Sequence, residues 1–238
     1  MIKADSLRLV SGSTVILDDV TVEIKRHQTT VIIGPSGCGK SSLLRVLAGW
    51  QPLTSGSLEP TLSSSEVGLL FQDYQLFPWH TVEKNLRLAL QALKLTRKEQ
   101  SERVEELAQT LELQSLLQKY PHQISGGQQQ RVALGQLLAK EASYLFLDEP
   151  TSALDALTKE KIQDLLASLQ KKHSLTIVWV THSIEEAAFL GQNVWVMEEA
   201  SVIKSLQNPL AASENYRQQA HYFEQQLLLR QLLGGNQR

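Results

Sequence analysis

The run Gly34-Pro35-Ser36-Gly37-Cys38-Gly39-Lys40-Ser41 constrains this chain more than any other stretch, because it joins an apolar, β-branched run at residues 29–33 to a helical run opening at Lys40. Strand, tight loop and helix in that order let consecutive backbone N–H groups converge on one anion, with the positive end of the helix dipole behind them. The glycines at 34, 37 and 39 admit the backbone conformations that such a loop needs. Lys40 then reaches the outer phosphates of a nucleoside triphosphate as a point charge, and the Ser41 hydroxyl completes the shell of a magnesium ion. Ser42 adjoins it on a helix whose Leu43, Leu44, Val46 and Leu47 form the buried side. A glycine-rich surface turn with a solvated lysine is the competing reading, and the strand-loop-helix order disfavours it.

A phosphate-binding loop alone leaves many activities open. Tyr144-Leu145-Phe146-Leu147-Asp148-Glu149-Pro150 is an apolar strand ending in two acids, and alternation along a strand gives adjacent acids different surroundings. Asp148 is therefore expected to serve the magnesium, and Glu149 to face the terminal phosphate and polarise the attacking water. The alternative is that these acids cap the next helix, since Ser152 and Asp155 look like a helix N-terminus.

Together with Ile124-Ser125-Gly126-Gly127-Gln128-Gln129-Gln130-Arg131, these motifs make the chain resemble the nucleotide-binding subunits of ATP-binding cassette transporters over residues 5–205. The resemblance implies an α/β P-loop NTPase core with a mainly parallel sheet, an antiparallel β subdomain and an inserted helical subdomain, and ATP with Mg2+ as ligands. It implies that Gln72 touches the metal and senses a membrane partner, and that His182, after the strand at 176–181, contacts the γ-phosphate. Glu149, His182 and Gln72 are thus the expected catalytic set, Ser41, Gln72 and Asp148 the metal set, and residues 34–42 the nucleotide cradle. Ser125, Gly126, Gly127 and Gln128 resemble the signature that binds the γ-phosphate held by an opposite subunit, again with a helix N-terminus facing an anion. Ser152-Ala153-Leu154-Asp155 resembles the loop that crosses between two such subunits.

Phe71-Gln72, Leu76-Phe77-Pro78-Trp79 and the wording from Asp148 to Thr158 look most like importer ATPases of the nitrate, sulfonate and taurine group. That implies a homodimer formed with ATP, separate transmembrane permease subunits, a solute-binding protein acting through them, and a peripheral position on the cytoplasmic face of the membrane. Exporter or lipoprotein-release ATPases and non-transport cassettes are the alternatives. The segment 74–80 concentrates large apolar groups in a turn, which reads either as a socket for a permease helix or as a plug under the helical subdomain.

The chain has 238 residues with 42% hydrophobic side chains and a formal charge of −2, which lacks the basic excess of a dedicated nucleic-acid binder. Its single cysteine, Cys38, excludes an internal disulfide and reads as a small filler. The start, Met1-Ile2-Lys3-Ala4-Asp5, lacks the apolar core of a signal peptide, and no run approaches the roughly 18 apolar residues of a spanning helix, so a membrane role needs a partner. One domain is expected over 1–238, with residues 1–30 largely β, 74–140 helical and 205–238 a C-terminal extension carrying a terminal helix. Clusters at 52–56 and 60–65 read as loops. Three departures from the family stand out: Val10, Ser11 and Gly12 where an aromatic usually stacks on adenine, His27-Gln28 where a glycine turn is common, and Gly135-Gln136 where Ala-Arg is usual.

Overall fold

The computed structural model describes residues 1–71 and 74–234. Alternating apolar residues at the start of the chain form β1 (Ile2–Ser11) and β2 (Thr14–Ile24), and the buried run that follows forms β3 (Thr29–Ile33), which feeds α1 (Lys40–Leu47). β4 (Ser55–Glu59) and β5 (Val67–Leu70) precede a helical section of α2 (Val82–Leu90), α3 (Arg97–Thr110) and α4 (Gly126–Ala139). Then come β6 (Tyr144–Asp148), α5 (Ala156–His173), β7 (Thr176–Thr181), α6 (Ile184–Leu190), β8 (Asn193–Glu198), β9 (Ser201–Gln207) and α7 (Ala220–Gly234).

The central sheet has the order β5-β6-β7-β3-β8-β9, parallel except for the antiparallel edge strand β9, and a separate antiparallel sheet has the order β2-β1-β4. β3, β6 and β7 are buried along their whole length because both faces of the sheet are covered, so they read as continuous apolar runs rather than alternating ones. The period of two still sorts their side chains. Ile32, Phe146, Val178 and Val180 pack with α1 and the small sheet, while Val31, Ile33, Leu145, Leu147, Ile177 and Trp179 pack with the helices on the other side. Each such buried aliphatic side chain contributes roughly 1.5–3 kcal/mol, so the sheet is fixed between two cores and its carboxyl edge becomes a rigid platform.

The expected antiparallel layer over residues 2–24 is present, but its third strand, β4, comes from a stretch read partly as loop. Ser55-Gly56-Ser57-Leu58-Glu59 offers one half-buried apolar side chain and joins the edge of β1 by backbone pairing, which apolar periodicity does not report. β9 and the seven-residue α6 were equally invisible, being short elements whose burial depends on their neighbours. At the end of the chain, α7 buries Tyr222 and Leu229 against α6 and the Tyr216 region, and leaves Phe223 and Leu227 exposed. No helix among the described residues is long and apolar enough to cross a membrane.

Candidate functional site

The loop after β3 is shaped by its own backbone. Gly39, the residue that caps α1, sits at φ +101°, and a Cβ there would meet the Ile16 carbonyl oxygen at 2.6 Å, so no other residue fits. Pro35, Ser36 and Gly37 are exposed at the rim, and Ser42 is half-buried on the first turn of the helix. Lys40 is buried, with Nζ donating to the carbonyls of Gly34 at 2.9 Å and Pro35 at 2.8 Å. An ammonium has three hydrogens, so one remains for an anion inside the loop. Burial pushes the Cys38 thiol above its ordinary pKa, which keeps it a packed, neutral side chain.

Ser41 and Asp148 meet across the gap between α1 and β6, the Ser41 hydroxyl donating to Asp148 Oδ1 at 2.8 Å. Burial holds the Asp148 carboxyl above its ordinary pKa, against the hydrogen bond from Ser41 and the charge of Arg45, whose Nη2 is 4.0 Å away. A buried carboxylate beside a hydroxyl is an all-oxygen donor set of the kind magnesium prefers, so these residues fit the expected metal. Gln72, expected in the same set, lies outside the described residues.

Glu149 takes the opposite side. Its backbone is left-handed, at φ +50°, with its N–H donating to Val180 O at 3.0 Å and its carbonyl accepting from the Gln130 amide at 3.3 Å. Its Oε1 is 3.1 Å from His182 Nδ1 at the end of β7. The two acids therefore diverge as the strand alternation predicts. Neither caps a helix, because α5 is capped by Asp155, which accepts from the Thr158 N–H at 3.1 Å.

Ser125 and Gln128 form a capping box at the head of α4: the Ser125 N–H donates to Gln128 Oε1 at 2.9 Å, and Ser125 Oγ accepts from the Gln128 N–H at 3.3 Å. Gly126 faces open space, whereas a Cβ on Gly127 would lie 3.0 Å from Leu154 and 3.3 Å from the Ala153 carbonyl. The helix terminus thus rests on residues 153–154 with one side free. Among the described residues, the hydrogen bonds of Ser125 and Gln128 close on each other and none reaches residues 34–42. Within one chain Ser41 bonds Asp148 and Glu149 faces His182, while the Ser125–Gln128 terminus sends no hydrogen bond to the loop at 34–42.

Residues 17–152 match the protein-family model described as ABC transporter. The chain belongs to this family. A probable sulfate/thiosulfate import ATP-binding protein, CysA, of Chlorella vulgaris is 41% identical over 81% of this chain and 85% of its own length. An aliphatic sulfonates import ATP-binding protein, SsuB, of Bacillus thuringiensis subsp. konkukian is 34% identical over 88% of this chain and 85% of its own. The dimeric ATP-binding cassette MJ0796, solved in a post-hydrolysis state bound to ADP and Pi, superposes with a TM-score of 0.79 at 30% identity, covering 87% of this chain and 98% of that one. The chain is accordingly an ABC ATPase, and the architecture above is the cassette fold.

In this cassette the segment 74–80 is neither all socket nor all plug. Tyr74 and Leu76 pack against the helical core, whereas Phe77 is 41% exposed and Trp79 67% exposed, their ring centroids 5.8 Å apart. The turn is gripped by Asn85, fully buried on α2, which accepts from the Phe77 N–H and donates to the carbonyls of Phe77, His80 and Thr81. Beside it lies a groove of about 420 Å³ lined by Phe71, Tyr74, Phe77, Leu88, Gln136 and Lys140, among others.

Two of the departures from the family have structural answers. His27 occupies a left-handed position, φ +59°, that a glycine would serve, and its carbonyl accepts from the Gln170 amide at 2.5 Å while its ring contacts the Ser174 carbonyl. Gly135 is where α2 and α4 approach, since a Cβ there would meet Leu86 at 2.6 Å, and Gln136 ties the same two helices by donating from Nε2 to Asn85 O at 3.1 Å. Asn85 and Gln130, both buried and both gripping backbone, were missed from sequence. A polar residue at an apolar position of a helical period was the available signal.

Proposed function

We propose that this ABC ATPase dimerises head to tail around two Mg-ATP molecules and powers solute import through a separate membrane permease. The observation that carries the reading is an unused anion-binding terminus: the head of α4 is capped by its own Ser125 and Gln128, is open at Gly126 and sends no hydrogen bond from Ser125 or Gln128 to the cradle of its own chain. A γ-phosphate in the cradle then needs the Ser125–Gly127 terminus of a second copy, whose backbone N–H groups and dipole suit an anion.

In this reading Lys40 turns its remaining hydrogen to the β- and γ-phosphates and the N–H groups of residues 37–42 bind their oxygens. Ser41, Asp148 and Gln72 would hold the magnesium, which supplies neutralisation of the charge that spreads over the phosphates during transfer. Glu149 accepts the proton of the attacking water, and His182 orients Glu149 and contacts the γ-phosphate. Closure of two copies on ATP and reopening after hydrolysis delivers the mechanical step. The groove that Phe77 lines receives a helix of the permease, an assignment supported by the exposed rings of Phe77 and Trp79 beside a concavity of mixed apolar and polar lining. Import, rather than export or a non-transport role, is supported by the import ATP-binding proteins among the relatives. A solute-binding protein would act through the permease, and the cassette would sit peripherally on the cytoplasmic face.

The test is purification of the tagged chain from its native membranes with identification of what accompanies it. A multi-span permease and a ligand-carrying binding protein are expected. Recovery with a permease but with outward movement of solute in reconstituted vesicles overturns import, and recovery with nucleoprotein overturns transport.

A further inference from the structure

Glu186 is a buried carboxylate, 4% exposed, for which no motif reading has a use. Among the described residues no basic side chain forms an ion pair with it. Instead its Oε1 accepts from Thr151 Oγ1 at 2.5 Å and Gln163 Nε2 at 3.4 Å, and its Oε2 from Thr181 Oγ1 at 2.6 Å and Trp179 Nε1 at 3.3 Å. A buried carboxylate without a cation is expensive unless hydrogen bonds satisfy it, so four donors from α5, β7 and the turn after β6 are the condition for its being there. Hydrophobic packing would have filled the same volume without that cost.

Thr151 lies two residues after Glu149, and Thr181 immediately precedes His182. The carboxylate therefore ties together the two backbone segments that present Glu149 and His182 to each other at 3.1 Å. Thr181 extends the tie, since its Oγ1 also accepts from the Ser183 N–H at 3.0 Å, fixing the turn on the far side of His182. A second arm leaves the carboxylate through Gln163, whose Oε1 accepts from Arg217 Nη2 at 2.8 Å. Arg217 belongs to the segment after the last strand, is paired with Asp164 at 2.6 Å, and lies 3.4 Å over the Phe189 ring.

We propose that Glu186 is a positioning residue for hydrolysis, holding the Glu149 and His182 segments in register, and that Arg217 sets the orientation of this tie from the C-terminal segment. The inference rests on the roles given to Glu149 and His182 above. It goes beyond them in making the region past residue 208 part of what sets turnover. Misplacement of reacting groups by about 1 Å costs up to a hundredfold in rate, so a loosened register appears in kcat and not in ATP affinity.

The experiment measures ATP affinity by equilibrium titration, single-turnover hydrolysis and Tm for Glu186→Met, Glu186→Gln and Arg217→Ala, with His182→Ala and the double variant of Glu186→Met with His182→Ala. Glu186→Met, which keeps volume and removes both acceptors, is expected to bind ATP normally and hydrolyse it about tenfold to a hundredfold more slowly. Glu186→Gln keeps one acceptor and recovers part of the rate, and Arg217→Ala shows a smaller loss in the same direction. In the His182→Ala background the loss from Glu186→Met shrinks, because both changes break one contact. Wild-type turnover in Glu186→Met, a fully additive double variant, or equal losses of affinity and rate each overturn the proposal. If Glu186→Met does not fold, Thr181→Val removes one tether and its wild-type turnover overturns the proposal instead. Wild-type turnover in Glu149→Gln, measured alongside, overturns the parent assignment rather than this one.

Discussion

At the carboxyl edge of the central sheet the side chains of the candidate site are themselves held: Lys40 by two loop carbonyls, Asp148 by Ser41, and Glu149 by His182. At the corner formed by residues 74–80 the arrangement is reversed, with Asn85 fixing the backbone while the rings of Phe77 and Trp79 stand in solvent. Chemistry and docking ask for different things. Hydrolysis needs groups preorganised within fractions of an ångström, whereas a docking corner needs apolar area still available to lose water when a partner arrives. The two regions are therefore separable by mutation, and the sharpest experiments are those that break one and spare the other.

Glu149→Gln is expected to have the largest effect, lowering single-turnover hydrolysis by about 10²–10⁴-fold while ATP binding persists, because the amide keeps the shape and loses the proton acceptor. Near-normal hydrolysis would remove Glu149 from the mechanism. Trp79→Asp should abolish stable assembly with the permease, a loss of at least about 2 kcal/mol for an aromatic anchor, and leave the Tm of the isolated cassette unchanged. A Tm that falls by many degrees without any partner would assign Trp79 to the core, against its exposure.

Lys40→Ala comes next, with ATP affinity lowered by about 1.5–3 kcal/mol through loss of a charge-assisted hydrogen bond. Equal affinity in an equilibrium titration would contradict the cradle. Asp148→Asn separates stability from activity. Because the folded protein raises the Asp148 pKa, it binds that proton more tightly than the unfolded chain, and the stability this contributes at acidic pH is lost as pH rises from the ordinary carboxylate range through the raised value. Asp148→Asn should therefore raise Tm at neutral pH, with the gain shrinking in acid, while hydrolysis is lost. A lower Tm at neutral pH would mean that Ser41 and Arg45 more than offset the burial. The smallest effect concerns the base: with Ser11 at the end of β1 and Gly12 in the turn after it, GTP should compete with ATP to within about tenfold, or about 1.4 kcal/mol, as competition titrations would show.

Legibility in the sequence followed the range of the physics involved. The strands at 144–148 and 176–181, the helix opening at Lys40 and the helix start at Asp155 were readable because each depends on residues within a few positions of one another. The divergence of Asp148 and Glu149 was readable for the same reason, since a strand's alternation is local. β4 escaped because its pairing with β1 joins residues about fifty positions apart through backbone alone. The fate of 74–80 escaped because exposure is a property of what surrounds a side chain.

What the sequence determined by itself was the inventory: a glycine-rich loop between strand and helix, two adjacent acids at a strand end, a histidine after a strand, and a capped glycine pair, each encoded in a short run whose backbone geometry its own residues dictate. What only the tertiary structure decided was which of these meet. The Ser41–Asp148 and Glu149–His182 contacts span 107 and 33 residues, and the Glu186 tie draws on four donors from Thr151 to Thr181. A buried polar network has no local signature, because its members are stable only where the packing of distant elements removes water and leaves each of them one partner.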